Sequence, residues 1–277
     1  MQLLYLMKFN FIFVLILFAQ DCNVLEENST LMISFKMFSE NVKDTFQIDI
    51  SFPESYSKNT NQKYPVLFLT DGNWRRDQHK TIHELSKQKV IKELVIVGIG
   101  YPDSYNPNII RKRDLIEHAD KFLNFICDEL IPHIENKYRV TNERTLWGSS
   151  FGGFFGMYAL FNYVDKTKNV FNNYIIVSPA AKEKTFYNNQ YLDLFDLEKI
   201  LYSRTKELEV NLYMAVGGNE DPERFLDPFK DLIDILQKRN YKNFYMKSYI
   251  DAGKDHYTVW EPALYEGVKM FFGINKL

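Results

Sequence analysis

The sequence predicts an α/β fold in which a mostly parallel central sheet carries helices on both faces. Short, continuously apolar runs recur along the chain, and such runs are typical of central parallel strands that are covered on both sides. Between them lie longer segments with apolar residues at three- and four-residue steps, which is the period of an amphipathic helix. With 277 residues, the chain is long enough for one large domain of this kind.

The predicted strands run from an antiparallel edge into a parallel centre. Residues 45–51 alternate apolar and polar side chains, which is typical of a half-buried antiparallel strand. Central parallel strands are predicted by the apolar runs 64–69, 93–99, 174–177 and 210–216. A short strand at 144–147 and an apolar run at 244–250 complete the set. We expect the antiparallel part to form one edge of the sheet.

The predicted helices connect these strands. Residues 118–138 carry apolar side chains at helical spacing, and Pro132 inside them predicts a break or a kink because proline lacks a backbone N–H. Further helices are predicted at 154–161, 228–239 and 261–272. No repeat of fixed period and no long linker divides the chain. We therefore expect a single domain over residues 35–277, preceded by a short extension at 21–34.

The amino terminus has the composition of an export signal. Lys8 precedes the apolar stretch 9–19, which ends in a small residue and is followed by polar residues. This pattern predicts a secretory signal peptide over residues 1–20 rather than a buried first element, and the stretch is shorter than the roughly 20 residues that span a bilayer. Lipidation of Cys22 is a less favoured alternative, because Asp21 stands where a lipoprotein signal requires a tiny residue. We expect a secreted or periplasmic protein with no stable membrane span after signal removal.

Charge and cysteine content exclude several classes of protein. The 34 basic and 36 acidic residues give a net charge of −2, which removes the basic footprint of a nucleic-acid-binding protein. Two cysteines do not make a disulfide framework or a zinc site. His79 and His83 are four residues apart but lack a metalloprotease signature between them, so we expect a solvated helix face and no metal.

The segment Gly148-Ser149-Ser150-Phe151-Gly152 carries the strongest chemical signal. It has the pattern G-x-S-x-G between a predicted strand and a predicted helix, which is the context of a nucleophile elbow. The sharp turn would lift the Ser150 hydroxyl to the carboxyl edge of the sheet and to the amino end of a helix, where negative charge is favoured. A glycine-rich turn used only for packing is the alternative. Because Ser149 occupies the variable position of the pattern, the sequence predicts Ser150 as the nucleophile.

A serine nucleophile requires a base and an acid, which follow it in the order acid, then histidine. His256 is the only histidine after Ser150, and it lies in a predicted loop before the last helix. The acid is expected at the end of the preceding strand, where Glu220 and Asp221 follow Gly217. The spacing from Gly217 favours Glu220, with Asp221 as the alternative acid.

An acyl-transfer reaction also needs two N–H donors for the oxyanion that forms in it. Phe151, directly after the nucleophile, supplies one of them. Asn73, in the loop after the strand at 64–69, supplies the other. These two backbone amides are the predicted oxyanion hole.

Four further residues are candidates for binding the substrate. Trp74 and Tyr101 fall on loops at the predicted carboxyl edge, where they would line an aromatic pocket. Arg111 and Arg113 are able to grip an anionic substrate, or alternatively to anchor a loop through Asp114. The sequence leaves these two interpretations of the arginines open.

Several more segments extend the pattern beyond the elbow. They are Tyr64-Pro65-Val66-Leu67 leading to Asp71-Gly72, Arg111-Lys112-Arg113-Asp114-Leu115, Glu129-Leu130-Ile131-Pro132, and Ser178-Pro179. Together with the elbow and the late acid and histidine loops, they resemble the putative-esterase branch of the α/β-hydrolases over roughly residues 35–275. That branch includes esterase D-type, feruloyl and acetyl-xylan esterases, mycolyltransferases and siderophore trilactone esterases, and the overall run is most similar to the last group.

The resemblance implies an α/β-hydrolase fold with the triad on Ser150, Glu220 and His256. It implies a serine esterase without metal or organic cofactor that acts on a small-molecule or glycan-linked ester, such as a siderophore lactone or a carbohydrate ester. One departure concerns the substrate: residues 180–183 follow Ser178-Pro179 as Ala-Ala-Lys-Glu, where these relatives commonly have tryptophans.

Two other functions are compatible with the same residues. An acyltransferase would use the same triad but pass the acyl group to another alcohol. A non-catalytic binding protein would use the same scaffold, since fold does not imply function. The serine, acid and histidine in the expected order favour catalysis over binding alone. The sequence makes no prediction of oligomeric state.

Overall fold

A computed structural model of the protein describes residues 23–27 and 30–274. The strands within these ranges are β1 (Asn23–Glu27), β2 (Thr30–Ser39), β3 (Asp44–Ser51), β4 (Tyr64–Thr70), β5 (Val95–Gly100), β6 (Val140–Ser149), β7 (Asn173–Val177), β8 (Thr185–Tyr187), β9 (Gln190–Leu192), β10 (Asn211–Gly217) and β11 (Tyr245–Asp251). Nine of these described strands form one mixed sheet in the order β1-β2-β3-β5-β4-β6-β7-β10-β11, and β8 and β9 form a separate hairpin.

The sheet is parallel over most of its width. Strands β5, β4, β6, β7, β10 and β11 run parallel to one another, and β1, β2 and β3 are antiparallel at one edge. The predicted α/β class with a mostly parallel sheet is confirmed. The predicted antiparallel strand at 45–51 is the third strand from its edge, because β1 and β2 lie outside it.

The helices of the described ranges lie between the strands along the chain. They are α1 (Ser55–Lys58), α2 (Arg76–Lys87), α3 (Pro107–Lys112), α4 (Ala119–Asn124), α5 (Ile131–Lys137), α6 (Phe151–Phe161), α7 (Leu194–Arg204), α8 (Asp227–Arg239) and α9 (Trp260–Phe272). A 3-10 turn spans Gly72–Trp74, and π-helical turns span Arg113–Glu117, Phe125–Leu130, Tyr163–Thr167 and Pro222–Leu226.

The predicted helix at 118–138 is continuous but distorted. A π-helical turn at Phe125–Leu130 joins α4 to α5, and Pro132 lies in the first turn of α5. Proline has no N–H to donate to the preceding turn, so the wider turn ahead of Pro132 takes up the irregularity. The chain therefore passes the proline with a distortion of the helix and without a break.

The sheet separates two apolar clusters. On one face, Val66 and Phe68 of β4 pack in a large cluster with side chains from α4, α6, α7 and α8. On the other face, Leu67 and Leu69 pack with side chains from α2 and α9. Because β4 is buried throughout, its run of apolar residues serves both clusters, as expected for a central parallel strand.

The topology creates a crevice at the carboxyl ends of β4 and β6. The chain leaves β4 towards β5 on one side and leaves β6 towards β7 on the other. Connections that diverge from two neighbouring strands leave a gap outside their carboxyl ends, and open α/β sheets bind ligands there. The two loops that border this crevice begin at Asp71 and Ser150.

The predicted signal peptide, residues 1–20, and Cys22 lie outside the described residues. Over residues 23–27 and 30–274, the helices are too short or too polar to cross a bilayer.

Candidate active site

Ser150 occupies a strained turn between β6 and α6. Its backbone has φ 60° and ψ −116°, a conformation that costs free energy for a residue with a side chain. The surroundings hold it: the Ser150 N–H donates to Val177 O at 3.0 Å, and the Ser150 carbonyl accepts from the N–H groups of Phe154 at 2.9 Å and Ala180 at 3.2 Å. Contacts to the next strand and to the helix therefore fix the position from which the half-buried side chain projects.

The glycines of the turn are required by close packing. A Cβ atom at Gly148 would collide with the carbonyl group of Gly152, and one at Gly152 would collide with the hydroxyl of Thr70 in β4. The turn can therefore close only without side chains at these positions. This is the physical reason for the G-x-S-x-G pattern in this chain.

His256 and Glu220 form a hydrogen-bonded pair. His256 Nδ1 lies 2.7 Å from Glu220 Oε2, and the Glu220 side chain is fully buried. A carboxylate only accepts hydrogen bonds, so Nδ1 carries the proton and Nε2 is the nitrogen left to act as a base. The histidine ring stacks on Phe225, with centroids 4.1 Å apart and planes 29° apart. Phe225, which sequence reasoning missed, therefore restricts the rotation of the imidazole.

The buried carboxylate of Glu220 has two further donors. Its Oε1 atom accepts from the N–H of Gly217 at 2.8 Å and from the hydroxyl of Ser178 at 2.5 Å. Ser178 is fully buried and has a left-handed backbone with φ 45°. In the sequence, Ser178-Pro179 stood out only through the family resemblance, and its position after a predicted strand was the available signal for a role at the site.

Asp221 directly follows Glu220 in the chain, and its carboxylate has a different partner. Its carboxylate accepts from the N–H of Arg224 at 2.9 Å and caps the turn at Pro222–Leu226. The side chain is exposed. The geometry therefore brings Glu220 to His256 and gives Asp221 a local capping role.

The loop after β4 presents the second predicted oxyanion donor. Asp71 has a left-handed backbone with φ 58°, and Gly72 packs so closely on Gly98 of β5 that a Cβ atom would not fit. The Asn73 side chain makes two hydrogen bonds to the main chain of Tyr101. Asn73 Nδ2 donates to the Tyr101 carbonyl, and Asn73 Oδ1 accepts from the Tyr101 N–H at 2.6 Å. The Asn73 side chain thus anchors the loop to the residue that follows β5.

The other predicted donor is the N–H of Phe151, the first residue of α6. The first N–H groups of a helix have no acceptor within it, and the helix dipole favours negative charge at that end. Both predicted donors therefore lie in loops that border the crevice between β4 and β6.

The two predicted substrate-binding arginines are both engaged with carboxylates. Arg111 binds Asp71 through two hydrogen bonds of 2.9 Å, and its guanidinium lies 5.1 Å from the ring centroid of Phe151. Burial by itself would lower the pKa of Arg111, but the adjacent Asp71 carboxylate outweighs it, so the pKa is raised. Arg113 binds Asp114 at 2.7 Å and Asp44 at 2.6 Å. These pairings favour the anchoring alternative for both residues.

The two predicted aromatic residues have different positions. Trp74 is exposed beside Arg111, with 5.5 Å between the guanidinium carbon and the ring centroid, so it is available to a ligand. Tyr101 differs from the expectation, because its side chain is buried and its ring packs 5.8 Å from that of Phe46. Its contribution is the main chain that Asn73 holds.

His79 and His83 do not form a solvated face, and that prediction is wrong. Both are buried, and His79 Nδ1 and His83 Nε2 each lie 2.8 Å from the hydroxyl of Ser51. Burial lowers the pKa of each histidine to about 3, with a further contribution from Arg76 for His79 and from His79 and Lys87 for His83. Over the described residues, no group of three or more histidine, cysteine or acidic side chains is arranged to hold a metal ion.

The structure brings one pair of the predicted residues together and places the others at the crevice. His256 contacts the buried Glu220 carboxylate, Ser150 lies on a strained turn, and the two predicted N–H donors lie in the bordering loops. Such an arrangement can deprotonate a nucleophile, stabilise a tetrahedral oxyanion and protonate a leaving group.

Comparison with known proteins agrees with this chemistry. The family model described as "Putative esterase" matches residues 39–271. The ferri-bacillibactin esterase BesA of Bacillus subtilis (strain 168) is 26% identical over 250 residues, which cover 80% of this chain and 83% of that protein. The siderophore enterobactin esterase of Emericella nidulans is 28% identical over 183 residues, which cover 52% of this chain and 55% of that protein.

The fold has a similar solved structure. The BES protein from Bacillus cereus superimposes with a TM-score of 0.73 at 24% identity, over 91% of this chain and 99% of that chain. At this level of identity the likeness establishes the fold, which is the α/β-hydrolase type predicted from the sequence.

Proposed function

The chain belongs to the putative esterase family of carboxylic ester hydrolases, and we propose that it cleaves its ester through a triad of Ser150, His256 and Glu220. The observation that carries the proposal is the 2.7 Å contact between His256 Nδ1 and the buried Glu220 carboxylate. This contact leaves Nε2 as the base for a serine that lies on a nucleophile elbow.

The first half of the reaction forms an acyl-enzyme. His256 Nε2 takes the proton of the Ser150 hydroxyl as Oγ attacks the ester carbonyl carbon. The backbone N–H groups of Asn73 and Phe151 donate to the oxyanion of the tetrahedral intermediate. The carbon–oxygen bond to the alcohol then breaks, and His256 returns the proton to the leaving alkoxide. Glu220 stays ionised and stabilises the imidazolium between these two steps.

The second half releases the acid. Water replaces the alcohol, His256 takes one of its protons, and the resulting hydroxide attacks the acyl carbon. The second tetrahedral intermediate uses the same two N–H donors. As its bond to Ser150 Oγ breaks, His256 returns the proton to that oxygen, which releases the carboxylic acid and restores the free enzyme. All groups that move protons in this scheme belong to the protein or to water.

The proposed substrates are siderophore lactones, with carbohydrate esters as the other candidates. The support is that two relatives over long stretches of the chain are described as siderophore esterases. The Ala-Ala-Lys-Glu segment at 180–183 departs from the tryptophans expected there, so the panel of test esters should be broad.

The decisive experiment compares the purified parent protein with Ser150→Ala. The panel contains short acyl esters, a tricatecholate trilactone and acetylated xylan, and hydrolysis is followed by acid release and mass spectrometry. We expect turnover by the parent and a loss of at least about 10³-fold in the variant. Equal activity in both proteins would show that Ser150 is not the nucleophile. Adding a competing alcohol to the same assay detects an acyltransferase by its new ester product.

Export of the enzyme is part of the proposal. It is supported by the basic residue, apolar stretch and small residue within residues 1–20. Expression of the full chain with a carboxyl-terminal tag, followed by cell fractionation and amino-terminal sequencing, tests it. An unprocessed protein that stays in the cytosol would contradict export without affecting the esterase assignment.

A further inference from the structure

A cavity of about 880 Å³ lies next to residues that contact or directly follow the proposed catalytic residues. Ala180, which lines it, donates its N–H to the carbonyl of Ser150 at 3.2 Å. Asp221, another lining residue, directly follows the proposed triad acid Glu220. The volume lies within the range of about 300–1,000 Å³ that is usual for small-molecule sites. We therefore expect a bulky group of an ester bound at Ser150 to extend past Ala180 into this cavity.

One wall of this cavity is the β8–β9 hairpin, which carries two exposed aromatic side chains. Phe186 and Tyr191 are directly opposite each other in the antiparallel register, and their ring centroids lie 5.4 Å apart. Both line the cavity, although 44% of Phe186 and 68% of Tyr191 remain exposed to water. Apolar surface that is left exposed in this way gains free energy when a ligand covers it.

The hairpin is held in a fixed position. Its two turn residues, Asn188 and Asn189, have φ 48° and 64°, as a two-residue type I′ turn requires. The hydroxyl of Tyr187 donates to Asp165 at 3.1 Å, and Arg204 binds the same carboxylate through two nitrogen atoms. The aromatic pair is therefore in place before a ligand arrives, and binding does not have to order the hairpin.

The charged groups of the cavity do not select a ligand by net charge. Its lining contains basic and acidic side chains in equal numbers, among them Lys112, Lys184 and Arg224 against Glu117, Glu183 and Asp221. The feature that distinguishes this wall from an ordinary polar surface is the aromatic pair.

We propose that this cavity is the substrate cleft and that Phe186 and Tyr191 determine its specificity by stacking on a planar aromatic ring of the ester. The inference rests on the proposed function, because the ring is positioned relative to an ester bond at Ser150. Aromatic stacking contributes about 2- to 10-fold per ring beyond the burial of apolar area. The hairpin thus selects esters that carry an aromatic ring over esters with a saturated ring of similar size.

The test uses pairs of esters that differ in the aromaticity of one ring. Vinyl benzoate and vinyl cyclohexanecarboxylate carry the ring in the acyl group, and benzyl acetate and cyclohexylmethyl acetate carry it in the alcohol. Phe186→Leu and Tyr191→Leu keep an apolar side chain but remove the aromatic face. Tyr245→Leu is the matched control, because Tyr245 is 58% exposed at the amino end of β11, away from the carboxyl edge of the sheet.

We expect the parent protein to prefer the aromatic member of at least one pair in kcat/KM. This preference should fall about 2- to 10-fold in Phe186→Leu and in Tyr191→Leu, the two cleft variants. It should stay unchanged in Tyr245→Leu. An unchanged preference in both cleft variants, for both pairs of esters, would overturn the proposal.

A binding measurement separates this proposal from the esterase assignment. Ligand-observed NMR on Ser150→Ala compares benzoate and benzyl alcohol with their cyclohexyl counterparts, which requires no catalysis. The cleft is supported if an aromatic ligand binds more tightly than its cyclohexyl counterpart and if this difference is lost when Phe186→Leu is added. This outcome supports the cleft even if no ester is cleaved. Equal binding of aromatic and saturated ligands overturns the cleft, even if Ser150-dependent hydrolysis is found.

Discussion

The hydroxyl of Ser178 donates a 2.5 Å hydrogen bond to Glu220 Oε1 in a site that is closed to solvent. The same carboxylate is bound by the Gly217 N–H and by His256, so three donors surround one buried anion. Ser178 also has a left-handed backbone, with φ 45°. A strained conformation persists only where its surroundings hold it. We therefore expect Ser178 to act as a positioning residue for the proposed triad.

The first prediction concerns Ser178→Ala. A hydrogen bond to a charged group contributes about 1.5–3 kcal/mol, so kcat should fall about 10- to 100-fold, with little change in KM. With one donor fewer, the Glu220 carboxylate is held less firmly against His256. Steady-state kinetics of the parent and the variant measure kcat and KM separately, and a merely structural role would not produce a loss confined to kcat.

Ser178→Gly is the matched control for backbone strain. Glycine accepts a positive φ without cost but also lacks the hydroxyl, so the variant should be at least as stable as Ser178→Ala and equally impaired in kcat. If Ser178→Gly had the kcat and KM of the parent, the hydroxyl would have no positioning role.

The second prediction distinguishes the two candidate acids. Glu220→Gln keeps the shape of the side chain, but the amide cannot accept hydrogen bonds from all three donors. The kcat should therefore fall about 10²- to 10⁴-fold. Asp221→Asn should stay within about threefold, because asparagine caps a helical turn as well as aspartate does. Steady-state kinetics of the two variants measure the loss of kcat in each, and circular dichroism checks that both are folded. A larger loss at Asp221 would reverse the assignment.

The parts of the site that have a local context can be predicted from the sequence. Ser150 lies between a strand and a helix with glycines at the required positions, and the only later histidine is His256. Burial of the central strands follows from their continuous apolar runs. These inferences need only neighbouring residues and chain order, and the strand and helix assignments agree with them.

The parts that depend on distant contacts were not predictable. Ser178 meets Glu220 across 42 positions of sequence, and the burial of His79 follows from its contact with Ser51, 28 positions away. The spacing of the two histidines was compatible with a solvated face or a buried one, and only the packing of α2 on the sheet decides between them. The position of Phe186 and Tyr191 on the cavity also depends on tertiary packing, since no local sequence pattern indicates which cavity these two residues line.

The third prediction concerns the oxyanion loop. Asn73→Ala removes both side-chain hydrogen bonds to the main chain of Tyr101, so the Asn73 N–H should lose its fixed position. Removal of one oxyanion donor costs about 10²–10³-fold in kcat, and displacement of this one should cost about 10- to 100-fold. An alkyl boronic acid, which forms a tetrahedral adduct with serine, should bind more weakly by a similar factor.

Asn73→Asp provides the graded control for that loop. Aspartate keeps the acceptor for the Tyr101 N–H but loses the donor to its carbonyl, so its activity should lie between those of the parent and Asn73→Ala. Weaker boronic acid binding without a loss of kcat would contradict the assignment of Asn73 to the oxyanion hole.

The last prediction concerns stability at acidic pH. His79 and His83 are buried with pKa values lowered to about 3 by burial, whereas unfolded histidines titrate near about 6.5. Between these pH values the unfolded state binds more protons than the folded state. The free energy of unfolding should therefore fall with decreasing pH by up to about 1.4 kcal/mol per pH unit for each histidine, and it should level off below about pH 3.

Urea unfolding of the parent and of His83→Gln from pH 4.5 to 8 measures this dependence. The variant should have a flatter profile, whereas His118→Gln, at an exposed position, should keep the parent slope. If the free energy of unfolding changed with pH equally in His83→Gln and in the parent, the buried pair would not be the source of acid sensitivity.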